Sequence, residues 1–113
     1  MITTHILDLS SGKPAAGVRV SLSRVPTGAS AERIVAGTGT TDADGRLRTL
    51  VPEGRQLDPG VYELAFETEA YFSAAQVPSF YPHVTISFHV RAGEKYHVPL
   101  LISPFGYSTY RGS

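Results

Sequence analysis

This sequence predicts an all-β sandwich with a single short helix, on three observations. Apolar residues recur with a period of two in several short runs. The runs are separated by Gly-, Pro- and Asp-rich turn signals, and one stretch only departs from them with helix-forming residues. Alternation of this kind is what a strand with one buried face requires, because successive side chains point to opposite sides. Leu, Ile, Val and Phe make up 29 of 113 residues, above the apolar content of disordered chains, and the length suits one domain spanning 1–113.

Taken in order, "ITTHILDL" places Ile2 and Ile6 on one face and Thr3, His5 and Leu7 on the other. Ser11-Gly12-Lys13-Pro14 then reads as a turn. "VRVSLSRV" sets Val18, Val20 and Leu22 against Arg19, Ser21 and Ser23, and Pro26-Thr27-Gly28 turns the chain again. A further turn at Asp42-Ala43-Asp44-Gly45 and another at Asp58-Pro59-Gly60 lead into "VYELAF", with Tyr62, Leu64 and Phe66 inward. The departure is "TEAYFSAAQ", predicted as a helix over Thr68–Gln76 with Thr68 as its N-cap and an end before Pro78. "HVTISFHV" alternates most cleanly, Val84, Ile86, Phe88 and Val90 against His83, Thr85, Ser87 and His89. In "YHVPLLIS", Tyr96, Val98, Leu100 and Ile102 share a face, leaving His97, Pro99 and Leu101 opposite.

The first and last of these strands carry apolar residues on both faces, so both faces need a cover. In a domain this small the second cover is most simply another copy of the chain, which would make that face an oligomer interface containing His5 and His97.

Composition excludes several classes of function. Ten Lys and Arg balance ten Asp and Glu, so no global field recruits nucleic acid or an anionic membrane. Without cysteine there is no disulfide framework, thiolate nucleophile or Cys-containing zinc site. No apolar run approaches the ~18 residues of a membrane span, the start lacks the shape of a signal peptide, and the end is not Ser-Lys-Leu. A soluble cytoplasmic protein is the default expectation, with the periplasm open to it if a leader preceded this numbering.

Motifs for metal or nucleophilic chemistry are incomplete. His83 and His89, six residues apart on one strand face, lie ~20 Å apart and cannot share an ion, and His5 with His97 falls short of the three or four ligands zinc takes. "TDADG" imitates half a calcium loop, but Thr40 and Val51 stand where its first aspartate and its glutamate belong. No Gly-x-Ser-x-Gly is present, so a hydrolase of this sequence activates water rather than acylating itself. Neither metal nor cofactor is expected. What stands out is a conjunction: His5 and His97 on two interface-like strands, Arg46 after an Asp/Gly turn, and an aromatic-rich ending, "YSTYRGS", where polar fraying is usual.

"TTHILDLSSGKPAAGV", "TTDADGR" and "YHVPLLISPFGYSTYRGS" resemble the 5-hydroxyisourate hydrolase family, the purine-catabolic relatives of transthyretin. The likeness spans nearly the whole chain, and the terminal Tyr-Arg-Gly-Ser is its most specific part. It implies a transthyretin-like β-sandwich of two four-stranded sheets with one short α-helix, assembled as a homotetramer with active sites in a channel between dimers. It also implies hydrolysis of a purine-derived substrate. The family's functional residues fall on His5, Arg46 and His97 as catalytic groups, with His5, Arg46, Tyr110, Arg111, Gly112 and Ser113 at the substrate. A histidine suits the task of a base near neutrality, and an arginine suits a developing oxyanion. A transthyretin-like carrier of a small aromatic ligand is the alternative, although a carrier has no use for the His/His/Arg set. The bland reading of "YSTYRGS" is that it completes an edge strand.

Overall fold

The structure is a computed structural model that describes residues 1–26 and 32–113. Among the described residues, nine strands and one helix follow in order: β1 (Ile2–Asp8), β2 (Lys13–Pro14), β3 (Arg19–Arg24), β4 (Ile34–Thr40), β5 (Arg46–Leu47), β6 (Gly60–Phe66), α1 (Thr68–Ala74), β7 (Val84–Val90), β8 (Tyr96–Ser103) and β9 (Gly106–Thr109). They form two sheets. One runs β2-β1-β8-β9, with the two-residue β5 sharing the β2 edge of β1, and the other runs β4-β3-β6-β7. Thr27 and Gly28 of the expected Pro26-Thr27-Gly28 turn lie outside the described residues.

Between the sheets the alternating faces close on one core, in which Ile6, Val18, Leu22, Leu64, Phe66 and Leu100 are fully buried. The pleat explains the selection. Tyr62, Leu64 and Phe66 of β6 point inward, and in β7 Val84 and Val90 are buried while His83, Thr85, Ser87 and His89 are exposed. Among the described strands the pairings are antiparallel except one: β1 runs parallel to β8, from Ile2 beside Tyr96 to Asp8 beside Ile102.

The helix corrects two details of the sequence reading. Thr68 is not its N-cap: Glu67 holds that position with no side-chain capping bond, while Thr68 is buried as the first helical residue and its hydroxyl has no hydrogen-bond partner among the described residues. Burial won over capping at that position. The helix also ends at Ala74 instead of Gln76, because Gln76 takes a left-handed φ of 61° and Val77 N–H returns to the Phe72 carbonyl (3.0 Å). The Tyr71 hydroxyl donates to Asp8 Oδ2 (2.8 Å), tying the helix to the end of β1, and burial followed by the Asp8 carboxylate pushes the phenol up to about 12. Among the described residues, no helix is long and apolar enough to cross a membrane.

Candidate active site

The face of the β1/β8 sheet that points away from the core collects the charged and titratable residues. Two rows run across it. In the first, Arg46 of β5 stands opposite His5 of β1, and His5 stands beside Pro99 of β8. In the second, Thr3 stands beside His97, and His97 is bridged to Gly112 beyond β9. β9 ends at Thr109, opposite Leu100, and the isolated His97–Gly112 bridge lies in the same register, which sets Tyr110 opposite Pro99. With strands ~4.8 Å apart, Arg46, His5, Pro99 and Tyr110 span roughly 14 Å.

Local sequence explains why Arg46 arrives there. Asp42 Oδ1 accepts from the Asp44 and Arg46 N–H groups (2.9 Å each), and Gly45 N–H bonds the Asp42 carbonyl (2.9 Å). Gly45 has φ +74°, and a Cβ there would lie 2.5 Å from the Ile6 carbonyl oxygen, so only glycine lets the turn press against β1. The Gly45 carbonyl then accepts from Ile6 N–H (2.8 Å), which sets Arg46 against His5.

His97 is held from two sides. Its Nδ1 is 2.8 Å from the Thr3 hydroxyl, and its carbonyl accepts from Gly112 N–H (2.8 Å). A Cβ on Gly112 would meet His97 Cδ2 at 2.6 Å and Cγ at 3.3 Å, so the tail backbone lies directly on the imidazole. Burial holds His97 below the usual histidine range, and the nearby Arg46, His5 and Arg48 act in the same direction. The ring is therefore kept neutral beside a concentration of positive charge.

A hollow of about 250 Å³ opens on this face, lined by Thr3, Thr4, Arg46, Arg48, His97 and Ser113. Among the described residues neither Arg46 nor Arg48 has an ion-pair partner, which leaves two cations for an anionic guest. Thr3, Thr4 and Arg48 were not anticipated from the sequence. The alternation in Arg46-Leu47-Arg48, with Leu47 buried, is the signal that places Arg48 on the face of Arg46.

Not every expected residue enters this hollow. Tyr110 is exposed and, with Arg111, borders a second hollow of about 400 Å³ at the open edge between the sheets, where Ile86, Phe88, Tyr96 and Val98 also lie. The Arg111 guanidinium sits 4.6 Å from the Tyr96 ring centroid, a cation–π contact worth about 0.5–1 kcal/mol at an exposed position. His83 and His89 lie exposed on β7 and in the loop before it, on the other sheet. A hollow of about 930 Å³ lies by α1 on that sheet and brings together only Arg19 and Glu67 as charged groups among the described residues, so it carries no comparable chemistry.

With this geometry in place, the relatives of the chain are informative. It is 41% identical over 112 residues to the probable 5-hydroxyisourate hydrolase of Schizosaccharomyces pombe, covering 99% of this chain and 90% of that one. Its fold matches the structure of Klebsiella pneumoniae 5-hydroxyisourate hydrolase with a TM-score of 0.84 at 41% identity, covering 99% and 98% of the two chains. It also matches sea bream transthyretin in complex with thyroxine, with a TM-score of 0.87 at 30% identity over 98% and 93%. The profile of one family matches residues 2–112, so that strands, helix and the Arg46/His97 face all fall within it: the chain belongs to the HIUase/Transthyretin family.

Proposed function

We propose that this protein hydrolyses 5-hydroxyisourate, opening its six-membered ring to 2-oxo-4-hydroxy-4-carboxy-5-ureidoimidazoline. The observation that carries the reading is the pair of adjacent rows holding Arg46, His5 and a neutral His97 on one sheet face. Relatives named as this hydrolase, at 41% identity over almost the whole chain, support it. A transthyretin in complex with thyroxine shares the fold at lower identity, but two arginines without ion-pair partners among the described residues, beside two histidines, suit a polar, anionic ring and a reaction that creates charge.

In this mechanism His97 is the base. Nδ1 lies 2.8 Å from the Thr3 hydroxyl, and the tautomer this mechanism uses has Nδ1–H donating there, so that Nε2 is the free acceptor that takes a proton from water. The hydroxide attacks the amide-like ring carbonyl, and Arg46 stabilises the oxyanion. The carbon–nitrogen bond then breaks, the proton passes from His97 to the departing nitrogen, and the new carboxyl group ionises. A positioned base contributes about 10²- to 10⁴-fold, roughly 3–5 kcal/mol. His5 lies beside Arg46 and is the partner that orients substrate or water. Arg48 supplies a second cation for the charge that the product gains. Tyr110, Gly112 and Ser113 form the wall at the β9 side.

The face is only half enclosed within one chain, and the half-buried Leu7 and Leu101 flank it, so the working unit is a homotetramer in which a second copy covers it. The whole chain acts as one domain, without metal or cofactor, in the cytoplasm. The test is spectrophotometric. Protein added to freshly generated 5-hydroxyisourate should accelerate loss of the ring chromophore well beyond spontaneous decay, unchanged by a chelator, from a preparation that light scattering shows to be tetrameric. Decay at the spontaneous rate would overturn the reading.

The pH profile provides a second check. Because His97 is held below its ordinary value of 6.5, its base form persists into mildly acidic solution. The acid limb of kcat/KM should therefore have its midpoint below pH 6.5. Linkage has the same sign: the folded state binds fewer protons than the unfolded chain, so the stability contribution of neutral His97 is complete above about 6.5 and is lost as pH falls through the depressed value. A midpoint at or above 6.5 would exclude His97 as the base.

A further inference from the structure

We infer that Arg111 is a positioning residue, clamped with Glu94 and Tyr96 so that Gly112 is pressed onto the His97 imidazole. The inference rests on the hydrolase reading for its catalytic meaning and on the geometry for its substance. Register decides which way Arg111 faces: it stands opposite Val98, a buried residue of the core-facing side, whereas Gly112 stands opposite His97 on the outer face. The guanidinium accordingly lies away from the Arg46/His97 hollow. It packs 4.6 Å from the Tyr96 ring centroid, donates to the Lys95 carbonyl (3.3 Å) and comes within 3.9 Å of Glu94 Oε2.

These anchors are themselves fixed. The Tyr96 hydroxyl donates to Glu94 Oε2 (2.6 Å) and accepts from Arg91 N–H (2.7 Å). One exposed ion pair contributes little, but three contacts converge here on one planar group, and their geometry is specific to arginine. The clamp grips residues 94–96, the segment that runs directly into His97. One residue further on, Gly112 covers that same ring at a distance that leaves no room for a Cβ. Arg111 thus holds the tail to the strand that carries the base, and the tail holds the ring in register with Thr3.

The experiment uses the full chain with Arg111→Met, Arg111→Lys and Glu94→Ala. Kinetics are measured together with the His97 imidazole titration by NMR, the signal being assigned by its loss in His97→Ala. Arg111→Met should lower kcat about fivefold or more while KM stays within about twofold, the split expected when reacting groups rather than substrate binding are disturbed. Its His97 titration should move up toward the ordinary value, since burial is the main cause of the depression and the ring loses its cover. The groups facing His97, namely Arg46, Arg48, His5 and the Thr3 hydroxyl, are unchanged in this variant, so the shift reports the cover alone. Arg111→Lys should restore part of both effects, and Glu94→Ala, at an exposed side chain, should reproduce them more weakly and serves if Arg111→Met fails to fold. An unmoved His97 titration, or a raised KM with kcat intact, would overturn the inference, the latter by showing that Arg111 grips substrate. The titration needs no turnover, so a wild-type protein inactive on 5-hydroxyisourate would sink the hydrolase reading while leaving the clamp separately decided.

Discussion

Alanine at His97 is expected to lower kcat/KM on 5-hydroxyisourate by about 10²- to 10⁴-fold, the range lost with a positioned general base. The fall should lie mainly in kcat, because the imidazole acts on water and its loss leaves Arg46, Arg48 and Thr3 to hold the ring. Stability should change little. His97 is half-buried on the outer face, outside the core, and its backbone bond to Gly112 survives the substitution. His5→Ala and Arg46→Ala should each cost more than about tenfold, with the tetramer intact by light scattering. Arg46 is the more informative of the two: its backbone, not its side chain, closes the Asp42 turn, so Arg46→Ala removes charge without opening β5. A His97→Ala enzyme with a third or more of wild-type turnover would remove His97 from the chemistry.

Gly112→Ala should also be damaging, although it adds a single methyl group. Its Cβ would stand 2.6 Å from His97 Cδ2 and 3.3 Å from Pro99 Cγ, so something must shift. Either the imidazole rotates and gives up its 2.8 Å contact with Thr3, or the tail lifts and breaks the Gly112–His97 backbone bond. Both displace the base. Functional groups must sit within ~0.5 Å of the working geometry, so turnover should fall about tenfold or more. The melting temperature should barely move, since the tail beyond β9 is held only by one isolated bridge and the exposed contacts of Arg111, outside the core. Deleting Arg111-Gly112-Ser113 should separate activity from stability in the same way. If the tail merely completed an edge strand, both substitution and deletion would lower melting temperature and activity together, and measuring the two side by side distinguishes these outcomes.

Strands β3, β6, β7 and β8 are legible from alternation alone, because each has one buried face and enough branched or aromatic residues to mark it. β4 is not. Its Gly37 and Gly39 break the alternation, and they allow close approach: a Cβ at Gly37 would fall 1.6 Å from the Leu50 carbonyl oxygen, and one at Gly39 2.8 Å from Leu47 Cδ1. Two-residue strands such as β2 and β5 have no period to detect. In the candidate site, His5, Arg46, His97 and the terminal run stand out in the sequence as a conjunction, and the resemblance to a family is what gives them roles. Thr3 and Arg48 become visible only once register sets them beside His97 and Arg46. Arg111 shows the limit of motif reading, since its neighbour Gly112 lies over His97 on the outer face while the Arg111 guanidinium turns to Tyr96 at the open edge between the sheets.

The parallel pairing of β1 with β8 has a consequence for how this chain acquires its function. Thr3 and His97, in hydrogen-bond contact, are 94 positions apart, and Thr4 reaches the Val98 carbonyl across the same interval. Closing so long a loop is entropically unfavourable until many contacts form at once, and chains dominated by such distant pairings fold slowly. No hairpin or local fragment holds Arg46, His5 and His97 together. Competence therefore arises late, in the same step that joins the first and eighth strands, and any partly folded species would be chemically silent.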